Sequence, residues 1–232
     1  MTMPTKQALG DVFALVVHDL RNPTATISAN IAFVREVLGS TPEEMSSVDV
    51  QEALDDAAIA LRDLMRGLEQ FSAVARWIAG EDVVPKTPGD AGAEVRGFIN
   101  RHTGAVFEHD IADEPMPILG AGGAVARILD MLVANSLQHA PTSPIKISAA
   151  PKKGHVVIEV QDKGTAVAPE LRKAAFTFEG QSLLKGRSDG RYGRVVGLFA
   201  ANAIAESIGA QLEPDGVNGA AVFRLTIPLR AG

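Results

Sequence analysis

Residues 9–42 read LGDVFALVVHDLRNPTATISANIAFVREVLGSTP, and the fold turns on how that stretch is paced. Phe13, Val17, Leu20, Thr24, Ile27, Ile31, Val34 and Leu38 recur at alternating steps of four and three. Such a heptad-like seam, with Thr24 its one small polar member, predicts a long helix packed in a bundle. The glycine and proline of Gly39 to Pro42 supply its stop. A second seam follows through Val50, Leu54, Ala57, Leu61, Leu64, Leu68, Phe71, Val74 or Ala75 and Ile78, with Gly80 at its end. Two long helices joined by a short loop make an antiparallel hairpin. Its apolar stripe is broader than two helices can cover. Either a second copy completes a homodimeric four-helix bundle, or the C-terminal part of the same chain covers the stripe; the dimer is the favoured expectation.

Beyond the hairpin the texture changes. The connector VVPKTPGD (83–90) marks a boundary, dividing the chain into a hairpin over 1–82 and a second domain over 90–232. Helices are predicted at Ala91–Asn100, Gly122–His139 and Val196–Ile208, with a short one starting at Ala168. Strands are predicted at Val106–Ile111, Ile145–Ala149, His155–Gln161, Ala210–Glu213 and Ala221–Ile227. The last puts Ala221, Phe223, Leu225 and Ile227 on one face. Antiparallel-looking strands and helices segregate rather than alternate strictly, which gives an α+β sandwich. The run GQSLLKGRSDGRYG (180–193) has no period and reads as a long loop of the kind that carries function or mobility.

Composition excludes several classes. The 232 residues carry a net charge of −6, which gives no basic field for nucleic acid or an anionic membrane. With no cysteine there is no disulfide, thiolate metal site or thiol nucleophile. No signal-peptide pattern or apolar run of membrane-span length occurs, so a cytoplasmic protein with no membrane partner is expected.

His18 stands one position beyond the seam residue Val17, which turns its ring toward solvent. Asp19 follows it. Pro23 lacks an N–H and crowds the Asp19 carbonyl, so the helix is expected to bend just past His18. An exposed imidazole beside a carboxylate is suited to nucleophilic attack on a phosphoryl group, with Asp19 taking the proton. Residues 18–23 (HDLRNP) resemble the H-box of two-component histidine kinases, on the first helix of a hairpin as in that family. The resemblance implies that His18 is the phospho-acceptor, that Asp19 assists it, and that Asn22 can position a water for dephosphorylation of a response regulator. Arg21 is an exposed cation near the transferred group.

The rest of the chain is similar to the family's Bergerat-type ATP-binding domain. ILDMLVANSLQHAP (128–141) resembles the N-box through Asn135, and DKGTA (162–166) the D-x-G-x-G box through Asp162 and Gly164. GRVVGL (193–198) resembles the final glycine box through Gly193 and Gly197, where bare backbone approaches phosphates at a helix N-terminus. Phe176 and Phe178 resemble the aromatic pair before an ATP lid, here residues 179–192. Four positions depart from the pattern: Met131 replaces an Asn or acid, Gln138 a cation, and Ala166 and Val195 glycines. Each missing phosphate or metal contact can cost on the order of 3 kcal/mol in a phosphoryl-transfer site. The pocket reads as degenerate, with ATP and Mg²⁺ as cofactors only if it still binds them.

His102, His109 and His155 lack metal-ligand spacing, His139 suits a helix end, and Trp77 suits packing at the domain junction. The cations Lys185, Arg187, Arg191 and Arg194 suit either phosphates or solvent. An intact H-box beside an eroded nucleotide site predicts a histidine phosphotransferase, passing phosphate between receiver-domain aspartates through His18. A soluble kinase that autophosphorylates His18 from Mg-ATP is the enzyme alternative. A non-catalytic dimeric scaffold is the third.

Overall fold

The computed structural model describes residues 6–39, 47–102, 105–119, 123–165, 172, 176, 196–217 and 220–230. Within its helices and strands, the side chains of 6–9, 11, 12, 15, 19, 47, 165, 196 and 217 are outside that description. The expected helix after Ala168, the lid, Phe178, Gly193, and the departures Ala166 and Val195 also lie outside the described residues.

Helix α1 (Lys6–Leu38) and helix α2 (Ser47–Ile78) pack as the hairpin. Phe13 and Phe71 meet edge to face at 5.6 Å. Then come β1 (Pro88–Asp90), α3 (Ala91–Arg101), β2 (Phe107–Ile111), β3 (Pro117–Leu119) and α4 (Ala124–His139). The chain continues through β4 (Ile145–Lys152), β5 (His155–Thr165), α5 (Val196–Ser207), β6 (Gln211–Val217) and β7 (Ala220–Pro228). The main sheet runs β2-β4-β5-β7-β6, and β1 pairs with β3 in a small ribbon that the sequence pattern does not announce. All neighbours are antiparallel except β2 and β4, which run parallel because α4 crosses between them. The sheet is therefore mixed, a correction to the antiparallel expectation.

Period-two burial in the strands builds one apolar face. Ile145, Ile147, Val156, Ile158, Val160, Phe223, Leu225 and Ile227 point into a single core with α4 and α5. Strand β6 continues through Pro214, past its expected end at Glu213, because an edge strand can lose an amide donor without breaking the ladder. Asp90 closes the junction: it accepts the Ala93 N–H at 2.8 Å, capping α3, and the Met116 N–H at 2.6 Å. Helix α4 starts after Gly123, whose positive φ offers no side-chain cap. Glu94 of α3 caps it instead, accepting from the Val125 and Ala126 N–H groups at 3.1 and 3.3 Å. Burial nevertheless pushes the Glu94 carboxyl above its ordinary range.

The hairpin is not a separate rod. Val16, Ala73 and Val74 are buried in the same core as α4 and α5, with Leu20, Phe71, Trp77 and Ile78 packed at its edge. The Trp77 ring meets Phe199 edge to face at 5.5 Å, and its Nε1 donates to Glu206 at 3.1 Å. The same chain thus covers the base of the stripe. Farther out, Ile31, Leu38, Leu54, Leu61, Met65 and Leu68 remain exposed. The seam also shifts: Val16 is buried while Val17 is 53% exposed, and α1 half-buries Leu20, Ile27, Asn30, Val34 and Val37. Two adjacent apolar stripes fit the same alternating spacing, and the period alone does not say which one faces α2.

On the other face of the sheet, Arg224 contacts Glu159 at 2.8 Å and Asp215 at 3.2 Å, and Arg172 contacts Asp215 at 3.1 Å. The Gly216 N–H, then Arg224 and Arg172, hold the Asp215 carboxyl below its ordinary value near 3.8. A depressed carboxyl pKa contributes stability above the unfolded value and loses it as pH falls through the folded one. Asp215→Asn should therefore lower stability by a constant increment above about pH 5, with the difference from wild type shrinking below about pH 4. Urea unfolding read by the single tryptophan checks this.

Candidate functional site

His18 is exposed on α1, as its place beside the seam predicts. Arg21 and Asn22 are exposed one turn farther on; Asp19 belongs to the same helix, with its side chain outside the described set. Helix α1 runs on through Pro23. Beyond His18, hydroxyl groups serve the helix carbonyls. Thr24 Oγ1 donates to the Leu20 carbonyl at 2.7 Å, Thr26 to Asn22 at 3.3 Å, and Ser28 to Thr24 at 2.9 Å. Such back-bonding competes with the amide ladder and favours bending. Val17, Leu20, Arg21, Thr24, Ala25 and Ser28 line a shallow, mostly apolar groove along α1 beside His18. A cation and an imidazole at its margin can meet an anionic phosphoryl group there.

The second cluster lies under α4 and at the end of β5. Asn135, Ser136 and Asp162 are the buried polar residues among the described core. Asp162 accepts the Gly164 N–H at 2.7 Å, and the β5–β7 register breaks between Asp162 and Thr165. Irregularities of this kind re-aim side chains next to functional sites. A buried carboxylate braced by a glycine turn is a good acceptor for an exocyclic amine. Phe176 is buried. At the phosphate end two of the described residues depart from the expected pattern. Met131, one turn before Asn135, is a buried thioether, and Gln138 is exposed and neutral. No group of three His, Asp or Glu residues that could hold a metal occurs among the described residues. The described donors fit the base end of a nucleotide, and at the metal end they include Asn135.

Gly197 opens α5, and a methyl group there would stand 3.5 Å from the Gln70 side chain of α2. This residue faces the hairpin, a placement the glycine-box spacing does not reveal. His102 stacks on Phe98 at 5.1 Å and stands 4.0 Å from Asp130, which also faces Arg66 of α2 at 3.8 Å. His139 ends α4, as expected.

Comparison with known proteins agrees with this architecture. Residues 120–231 match the model of the family described as histidine kinase-, DNA gyrase B-, and HSP90-like ATPase. The chain is similar to the sensor histidine kinase MtrB of Mycobacterium tuberculosis, 28% identical over 222 residues that cover 94% of this chain and 38% of that protein. It is also similar to the sensor-type histidine kinase PrrB of Mycobacterium leprae, 25% identical over 97% of this chain and 50% of that protein. Among solved structures, the Acinetobacter baumannii histidine kinase AdeS aligns with a TM-score of 0.63 at 15% identity, covering 92% of this chain and 98% of that one. The histidine kinase ThkA, in complex with the response regulator protein TrrA, aligns at 0.64 and 19% identity over 97% of this chain and 63% of that one. The class defined by fold and site is a helical hairpin with an HATPase-type α/β layer. Residues 120–231 belong to that ATPase family, and the chain is similar over most of its length to sensor histidine kinases. It spans less than half the length of MtrB and half that of PrrB.

Placing the expected polar and cationic groups at 131 and 138 tests whether those positions limit nucleotide binding. The double variant Met131→Asn, Gln138→Lys should bind an ATP analogue at least tenfold tighter with Mg²⁺ than without. The wild-type protein should show little Mg²⁺ dependence. Isothermal calorimetry with and without EDTA reads both.

Proposed function

We propose that this chain is a histidine phosphotransferase of a two-component relay, with residues 1–82 as the phosphotransfer hairpin and residues 90–232 as a degenerate HATPase-like domain. The supporting observation is the contrast between the two clusters: an exposed imidazole beside a groove on α1, against a nucleotide pocket with Met131 where a polar ligand is needed. In this reading an imidazole nitrogen of His18 attacks the phosphorus of a receiver domain's aspartyl phosphate. The N–P bond forms, the acyl O–P bond breaks, and the carboxylate leaves. The other ring nitrogen gives its proton to Asp19, and the reverse reaction delivers the group to a second receiver. Arg21 offsets charge on the phosphoryl oxygens, and Asn22 orients water where hydrolysis competes. Chemistry of this type is mostly positioning and charge neutralisation. Mg²⁺ belongs to the receiver. A response-regulator partner and a cytoplasmic site of action go with this reading, and the ThkA complex shows such a partner on a related fold.

A kinase reading keeps one specific support, the buried Asp162 braced by Gly164, which still suits adenine. In that case His18 would take its phosphate from Mg-ATP with help from Asn135.

The relay reading is tested by offering the protein purified receiver domains charged with acetyl phosphate. Acid-labile phosphate should appear on His18 with at least one of them, and His18→Ala should abolish it. Labelling from Mg-ATP alone would favour the kinase instead.

The exposed outer stripe, including Ile31, Leu54, Leu61 and Leu68, supports a homodimer in which a second hairpin completes a four-helix bundle. Sedimentation should give twice the 24.4 kDa chain mass. Leu61→Glu, at a half-exposed position, should shift the protein to monomer while leaving its far-UV spectrum unchanged.

A further inference from the structure

Gly67 lies in the interior of α2, where glycine costs about 1 kcal/mol of helix stability relative to alanine. Its backbone is not in the left-handed region that would require glycine. The reason lies in space. A Cβ at Gly67 would stand 3.0 Å from Cδ2 of Leu20, tighter than side chains normally pack. Leu20 is two residues beyond His18 and packs at the edge of the core that buries Val16, two residues before it. Between them the backbone lacks one helical bond, because Pro23 has no N–H to give the Asp19 carbonyl, while Thr24 Oγ1 adds a bond to the Leu20 carbonyl. The path of this turn is therefore set from outside, by how deeply Leu20 enters the notch on α2.

We propose that Gly67 is a positioning residue for the chemistry at His18: its missing side chain lets Leu20 seat against α2, and that seat fixes where the imidazole meets a phosphoryl donor. The inference rests on His18 being the phospho-acceptor. The contact demands a give of a few tenths of an ångström; since a misplacement of about 1 Å can cost about 100-fold, such a give passed on to the imidazole lowers the rate about tenfold.

The test is a double-mutant cycle of Gly67→Ala and Leu20→Ala in the full chain. It uses a phosphorylated receiver domain or Mg-ATP, whichever labels the wild type. Gly67→Ala should slow labelling of His18 at least tenfold while the urea midpoint stays level or rises, since alanine favours the helix. In the Leu20→Ala background the same substitution should change the rate less than twofold. An unaltered rate in Gly67→Ala, or an equal loss in both backgrounds, overturns the proposal. If neither donor labels the wild type, the phospho-acceptor reading itself has failed. The geometric part is then read from the His18 ring resonances in ¹H–¹³C spectra, which should move with Gly67→Ala only when Leu20 is present. Movement in both backgrounds, or in neither, rejects the notch.

Discussion

The docking of α2 onto α5 is the contact on which the rest of the molecule depends. Ala73 and Val74 enter the core that the sheet, α4 and α5 build, and Trp77 ties the hairpin's end to Phe199 and Glu206. A hairpin alone has one narrow seam and gains modest stability. Joined to the α/β layer, its base shares a continuous core, and burial of this kind yields about 25 cal/mol for each Å² of apolar surface. The contact also brings two chemistries into one body. Val16 is held in the core while His18, two residues on, looks outward. Gly197 at the start of α5 lies against Gln70.

The hairpin divides its apolar surface between two uses. Its base is covered within the chain; the outer part is not, and the residues left bare follow helical spacing rather than scattering. A scattered exposed leucine needs no explanation, but an ordered stripe calls for a partner surface. The α1 groove beside His18 continues this stripe along the helix, with Val17 and Thr24 on the same seven-residue repeat as Ile31 and Leu38.

Much of this was legible from residue order alone. Both long helices follow from apolar spacing, and strands β4, β5 and β7 from alternation that the core then uses residue for residue. His18 reads as exposed from its place just beyond the apolar seam, although the seam residue used for that, Val17, is itself exposed; Trp77 reads as a junction residue from its place at the end of α2. The misses share a cause. Sequence period reports that a helix has an apolar side but not how two neighbouring stripes are shared out, so the spacing points to Val17 where the structure buries Val16. The parallel pairing of β2 with β4 is a property of the crossover, which local alternation does not encode. The extension of β6 through Pro214 depends on its being an edge, a fact of topology. The Gly67 notch is invisible for the same reason: a mid-helix glycine is only a cost until the opposing Leu20 is known.

The central claim is that phosphate reaches His18 from an acyl phosphate and not from a nucleotide. It is tested most directly by competition in one tube, with a receiver domain carrying ordinary phosphate and Mg-ATP carrying ¹⁸O in its γ-phosphoryl group. Mass spectrometry of the His18 peptide, kept at alkaline pH, reads which donor supplied the group. The account predicts unlabelled phosphate on His18. A phosphohistidine carrying ¹⁸O would contradict it and make this chain an ATP-driven kinase.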